Sequence, residues 1–393
     1  MPERDVVLLG IGHTNAHVLR AWRSAPIPQV RLTCVSPFPV ATYSGMLPGV
    51  LAGQYAPSMM EIDLARLCAA AGARLVVGEA TGLDADRRRL HLLDGSFLGF
   101  DALSIGIGSV PSFRGVDLRS RNAIVAAKPT QTLLARLGAR LRTVGEVRGR
   151  GLLKVAVVGG GAAGVELALC LPPFIRAEVL PGTRLALALI SGGPTLLPGS
   201  QAATARRVRA ALARRDVAVH VDRRVVRVDD AGLHLDDTTV VAADVIVWVT
   251  GAAPPPLLSA LGLPTGEDGF LATDATLRSI GAESVFAVGD TGTIRGAGRA
   301  KAGVYAVRQG PVLWRNLRHF LAGAPMDGYR PQASFLKLLN TGDGRAIAEW
   351  RGLSFEGRTA WRLKDHIDRS FIARYQWPVT SDGAPGLSPG AST

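Results

Sequence analysis

The chain has 393 residues, 47% of them hydrophobic, and a formal net charge of +13 from 45 Lys and Arg against 32 Asp and Glu. That length allows two to three domains with sizeable cores, and three cysteines exclude a disulphide-stapled scaffold. The positive charge is almost all arginine scattered along the chain, with no nucleic-acid-binding signature and no zinc-ligand spacing. Nucleic acid is therefore not expected as a partner, and no metal site is expected.

The N-terminus, Met1-Pro2-Glu3-Arg4-Asp5, runs straight into an apolar segment and does not read as a signal peptide. The longest apolar stretch, 245–263, is broken by Pro254-Pro255-Pro256, so no membrane-spanning helix is expected. Both features point to a cytoplasmic protein. Residues 6–9 then enter Gly10-Ile11-Gly12-His13-Thr14-Asn15-Ala16. An apolar strand that ends in close-set glycines lets backbone amides approach a pyrophosphate, and the helix that follows favours its charge. A second strand ends on Ser36, a third covers 74–80 up to Ala80, and a turn-rich meander fills 84–97. An apolar strand opened by Asp101 ends at Gly108, and 128–149 reads as a helix and linker.

The series then repeats. The turn Gly159-Gly160-Gly161-Ala162-Ala163-Gly164 follows the first by 149 positions, with Glu166 two residues beyond it. A second strand ends on Ser191, a third covers 217–221, a meander fills 229–241, and a strand opened by Asp244 ends at Gly251. A buried α/β core needs apolar strands, but it does not need Gly-x-Gly at the same place twice. The period fits two copies of one dinucleotide-binding domain, and strands alternating with helical stretches predict parallel sheets covered on both faces. Two such domains face to face imply a flavin and a nicotinamide. The fold class is α/β: two Rossmann-like domains, for FAD and NAD(P)H, plus a small C-terminal region with an amphipathic helix.

Three later segments extend the pattern. These are Thr250-Gly251-Ala252-Ala253-Pro254, residues 284–290 ending in Gly289-Asp290, and residues 301–310 from Lys301 to Gly310. With the two turns, they resemble the pyridine nucleotide-disulphide oxidoreductases over about 4–330. Within that superfamily, Gly10-Ile11-Gly12-His13 and residues 42–49 are similar to type II NADH dehydrogenases and to the flavoprotein domain fused to selenophosphate synthetase. The resemblance implies a discontinuous FAD domain (1–127 and 269–330) with an NAD(P)H domain (150–268) inserted. A C-terminal interface region (331–377) and a Pro/Gly/Ser-rich tail (378–393), expected to be disordered, would follow.

The resemblance also implies roles. Asp290 would accept hydrogen bonds from flavin ribitol hydroxyls; its alternative is an N-cap. Lys301 would place a cation near the flavin pyrimidine edge, or else be a solvated lysine. Glu166 would lie between nicotinamide and flavin, or else simply suit the helix dipole. Cofactor contacts are expected at Gly10, Gly12, His13, Asn15, Ser36, Ala80, Gly108 and Asp290 for FAD, and at Gly159, Gly161, Gly164, Ser191 and Gly251 for NAD(P)H. Asn15-Ala16 replaces the third glycine of the first turn, so that helix should pack farther from its strand. Ser36 and Ser191 stand where an acid usually binds the ribose 2′-hydroxyl. With Arg206 and Arg207 also candidates for a 2′-phosphate, the choice between NADH and NADPH stays open.

Cys34, Cys68 and Cys170 form no Cys-x-x-Cys pair, so no redox dithiol is expected. The function implied is an FAD-dependent NAD(P)H dehydrogenase that passes electrons to a quinone-like or other non-dithiol acceptor, small molecule or protein. The alternatives are a flavin reductase or oxidase, and a flavin-binding partner or sensor in a selenium-related assembly. At the C-terminus, 334–351 reads as strands around a turn at 341–344, and 359–375 reads as a helix. Leu363, Ile367, Phe371 and Tyr375 fall on one face of it. Flanked by arginines, that face would suit peripheral membrane contact on the inner face, packing on the flavin domain, or a homodimer.

Overall fold

The computed structural model describes residues 3–297 and 301–377. The expected disordered tail, 378–393, lies outside these described residues.

Two five-stranded parallel sheets form the body. The first runs in the order Val285–Ala287, Ala102–Ile105, Arg4–Leu9, Val30–Ser36, Arg74–Val77. The second runs Ile124–Ala126, Val245–Trp248, Leu152–Val158, Arg184–Ile190, Val217–His220. In each, the strand that carries the glycine turn is central. Val6, Val7 and Leu8 are all buried, as are Val155, Ala156 and Val157. Consecutive buried residues need cover on both faces, which is why these strands read as unbroken apolar runs and not as alternating ones. Each buried Val or Leu contributes about 1.5–3 kcal/mol to that packing. The helix His13–Ser24 packs against Gly303–Ala322, so the late helix roofs the early turn.

The chain passes between sheets at places the sequence pattern did not mark. Asp117–Leu118 pairs with Val225–Asp229, and Ile124–Ala126 pairs with Val245–Trp248. The second unit therefore draws its edge strand from residues that precede 127. On the return, Leu258, Leu261, Leu263 and Phe270 join the core of Val7, Leu9 and Leu103, so the chain is back on the first sheet well before 269. A strand's sheet is chosen by partners far along the chain, which periodicity does not report.

The C-terminal region is a three-stranded antiparallel sheet, Lys337–Asn340, Ala346–Trp350 and Leu353–Gly357, followed by the helix Arg358–Ile372. The inward face of this helix differs from the expected one. It carries Ala360, Lys364, Asp368, Phe371 and Ile372, whereas Leu363 and Ile367 are each 40% exposed. Lys364 and Asp368 are buried because they bond to each other, Nζ to Oδ2 at 3.0 Å, an arrangement that hydropathy scores as polar and outward. Among the described residues no helix is long and apolar enough to cross a membrane.

Candidate functional site

A cavity of about 470 Å³ opens at the C-terminal edge of the first sheet, where the strand order reverses. Gly10, Gly12, His13, Asn15, Ser36, Gly108 and Asp290, all singled out from sequence, line it together. The turn is tight for a backbone reason. Gly10 has φ +76, and a Cβ there would sit 2.8 Å from the Gly106 carbonyl oxygen. Beyond Gly12 the helix begins with no side-chain cap, which leaves its first amides free for an anion.

Asn15 lines the cavity but commits its amide group to the protein. It is fully buried, its Nδ2 donates to the Gly10 carbonyl at 2.7 Å, and Ser104 Oγ donates to its Oδ1 at 2.7 Å. It takes the third glycine's place by stapling the turn to the neighbouring strand. Ala80 lies in the strand Ala80–Asp84, paired with Leu92, and does not line the cavity.

Asp290 follows the strand Val285–Ala287. Its Oδ2 accepts from Ser109 Oγ at 2.7 Å and from Lys128 Nζ at 3.2 Å, and among the described residues its Oδ1 has no protein partner. Lys128 also donates to Ser109 at 2.6 Å and lines the cavity. Sequence reading missed Lys128: a single lysine in a linker gives no signal until the fold brings Ser109 and Asp290 to it. Lys301 lies in a neighbouring pocket that also includes Gly289 and Asp290. It donates to the Gly292 carbonyl at 2.7 Å and Thr293 Oγ1 at 2.8 Å, and its ammonium lies 4.1 Å from the Phe270 ring centre. Burial lowers its pKa, opposed by Asp268 and Asp290. That pocket is smaller, and among the described residues the cation that lines the main cavity is Lys128.

The C-terminal region closes one wall. Phe371 and Tyr375 line the cavity, and the Phe371 ring lies 4.5 Å from Tyr43 and 5.7 Å from His13. Tyr43 donates to Asp368 at 3.0 Å, and Lys364 donates to the Gly45 carbonyl at 3.1 Å, which fixes the helix on the loop. Burial lowers the His13 pKa to about 4; Asp290 opposes this and Lys128 reinforces it, so the ring is neutral at neutral pH.

In the second turn Gly161 caps the helix Ala162–Glu178, and Gly164 packs on Gly159. Ser191 is buried against Gly160. Gly251 accepts from the Ser112 amide at 2.9 Å at a crossing between the two units. Glu166 faces neither cavity. Its Oε1 accepts from the Asn340 amide at 2.8 Å, burial raises its pKa, and Lys364 opposes that rise. It holds the C-terminal sheet to the nicotinamide-side helix. Nothing local to Glu166 announces partners that lie 174 residues away.

The residues fit the two dinucleotides implied by the fold. The first cavity offers a glycine cradle, a free helix start and a carboxylate with an open oxygen; the second glycine turn repeats the cradle. No group of His, Cys, Asp or Glu that could hold a metal occurs among the described residues. All three cysteines are free and buried, and none lines the cavity. Cys34 and Cys68 are neighbours in the core, and their proximity raises the Cys34 pKa and lowers that of Cys68. Their sequence separation hid this contact. Replacing all three by alanine is expected to leave the rate of flavin reduction by NAD(P)H within about twofold, because enclosed thiols are poor electron carriers. Stopped-flow bleaching of the folded, flavin-loaded variant checks this, and a loss of bleaching well beyond twofold would place a thiol in the electron path.

Three comparisons bear on identity. The chain is 25% identical to the demethylphylloquinone reductase NdbB of Synechocystis sp., over 80% of this chain and 76% of that protein. Its fold superposes on the sulfide:quinone oxidoreductase of Aquifex aeolicus with a TM-score of 0.77 at 16% identity, covering 95% of this chain and 91% of that one. It superposes on NDH2 of Plasmodium falciparum in complex with NADH with the same TM-score of 0.77 at 14% identity, covering 94% and 97%. The pyridine nucleotide-disulphide oxidoreductase family matches residues 4–310, so the chain belongs to that family and is a flavin-dependent oxidoreductase that works with FAD and NAD(P)H.

Proposed function

We propose that this protein is a dehydrogenase that oxidises NAD(P)H through FAD and delivers the electrons to a planar, quinone-like small molecule. The observation that carries this reading is the aromatic wall that the C-terminal helix adds to the first cavity. Tyr43, Phe371 and Tyr375 line it, with 5.3 Å between the Phe371 and Tyr375 rings. Neither dinucleotide requires that wall, whereas a flat conjugated acceptor gains from offset aromatic faces. The names of the Synechocystis and Aquifex proteins support a quinone class of acceptor. The absence of any cysteine from the cavity lining supports transfer without a dithiol.

FAD, when bound, supplies hydride acceptance and electron release. The chain's residues bind and orient. The amides around Gly12 would hold the pyrophosphate, and Asp290 would take the ribitol hydroxyls on its open Oδ1. Lys128 sets a positive charge beside them, and neutral His13 adds none. Phe371 and Tyr43 shape the acceptor's entry, held by the Lys364–Asp368 pair and its bonds to the 43–45 loop.

Steady-state NAD(P)H oxidation with a panel of soluble quinones, dioxygen and a small disulphide tests the reading. Quinones are expected to turn over fastest. Phe371→Leu keeps bulk but removes the ring face, and should raise the quinone KM about tenfold while flavin bleaching by NAD(P)H is unchanged. A panel in which dioxygen or the disulphide matches the quinones would overturn the acceptor assignment.

A further inference from the structure

We propose that the second dinucleotide crevice selects the 2′-phosphorylated coenzyme, NADPH, and that Arg224 is the residue that reads the phosphate. This rests on the dehydrogenase reading above and names the coenzyme for the same site. Ser191 directly follows the strand Arg184–Ile190 and is buried. A Cβ on Gly160 would sit 2.1 Å from the Ser191 hydroxyl, so that hydroxyl lies directly against the phosphate-binding turn, where the adenosine ribose passes. A carboxylate at this place would accept from a ribose 2′-hydroxyl and repel a 2′-phosphate. Serine does not repel it, and its Oγ lies 3.4 Å from the Gly193 amide.

One residue on, Gly192 lies beneath Arg224: a Cβ at Gly192 would sit 2.9 Å from Arg224 Cγ. Arg224 is fixed at its backbone, with its amide donating to Asp236 Oδ1 at 3.1 Å and its carbonyl accepting from the Asp236 amide at 2.9 Å. Its side chain is exposed, and its guanidinium forms no ion pair among the described residues. The charges around it differ in this respect. Arg223 pairs with Asp237 and donates to the Asp222 carbonyl at 2.8 Å, and the Asp236 carboxylate is engaged by the Arg224 amide. Asp222 is the neighbouring carboxylate without a side-chain partner among the described residues. It lies on the exposed turn whose amide bonds the Gly193 carbonyl at 2.8 Å. A planar guanidinium free to form two parallel hydrogen bonds matches a phosphate, and such pairs are the strong ones. Of the two arginines named from sequence, Arg207 fits less well, because it donates to the Ser354 carbonyl at 3.2 Å, on the C-terminal sheet.

The test uses adenosine 2′,5′-bisphosphate and 5′-AMP as probes, titrated into the full-length, flavin-loaded protein. Neither carries a nicotinamide, so binding is read apart from hydride transfer. The bisphosphate is expected to bind at least roughly tenfold tighter than AMP. Arg224→Ala should reduce that ratio about tenfold, and Ser191→Asp should reverse it in favour of AMP. Tighter binding of AMP, or an Arg224→Ala variant that weakens both probes equally, would overturn the assignment of Arg224 and leave the dehydrogenase reading standing. Failure of both probes to bind would remove the coenzyme crevice itself, and with it both conclusions.

Discussion

Asp290→Ala is expected to purify largely free of FAD. The carboxylate sits at the end of a parallel strand whose residues Val285 and Phe286 are fully buried, so its position is set by the core. Its Oδ2 is occupied by Ser109 and Lys128, which leaves Oδ1 as the ligand atom. Losing a hydrogen bond to a charged group costs about 1.5–3 kcal/mol, which is roughly ten- to a hundredfold in affinity. Asp290→Asn keeps the size and an acceptor oxygen, and should fall between wild type and alanine. Flavin content after purification and a reconstitution titration followed by flavin fluorescence give the numbers. An alanine variant that retains wild-type affinity would take Asp290 out of the site.

Gly164→Ala should abolish flavin reduction by NAD(P)H while FAD stays bound. A Cβ there would lie 1.9 Å from the Gly159 carbonyl oxygen, so the helix Ala162–Glu178 must move off the turn. Overpacking of this kind costs about 1–3 kcal/mol or more, and the displaced helix start also loses its hold on the pyrophosphate. Gly161→Ala separates the two effects. A Cβ at Gly161 meets nothing within 4 Å, so the melting temperature should hold while coenzyme binding still weakens from the bulk at the phosphate. If Gly164→Ala melts and turns over like wild type, the close approach of helix and strand is not what builds the second site.

What the sequence disclosed was local. The two glycine turns, the strands feeding them and the Gly-Asp pair at 289–290 are each readable within about ten residues, and the structure gathers most of the first set around one cavity. What it withheld depends on long-range pairing. Ile124–Ala126 looked like the end of the first unit and joined the second sheet instead, because its partner is Val245–Trp248. Glu166 has the spacing of a cofactor residue, yet its oxygen goes to Asn340. Lys301 sits at the head of a motif but turns to Thr293 and Phe270, while the unremarked Lys128 enters the cavity. On the last helix, apolar spacing pointed to Leu363 and Ile367, and a buried ion pair turned Lys364 and Asp368 inward. In each case the deciding partner is distant in sequence, where propensity and periodicity carry no information.

Both cofactor sites and their order of action meet in one observable, the flavin absorption band of the purified protein mixed with reduced coenzyme in the absence of oxygen. The protein should emerge coloured, its released nucleotide should be FAD, and the band should bleach in a single rapid phase on mixing with NADPH or NADH. Subsequent addition of a soluble quinone should restore it. A colourless protein that takes up no FAD, or a bound flavin that neither coenzyme bleaches, would contradict the account at its centre.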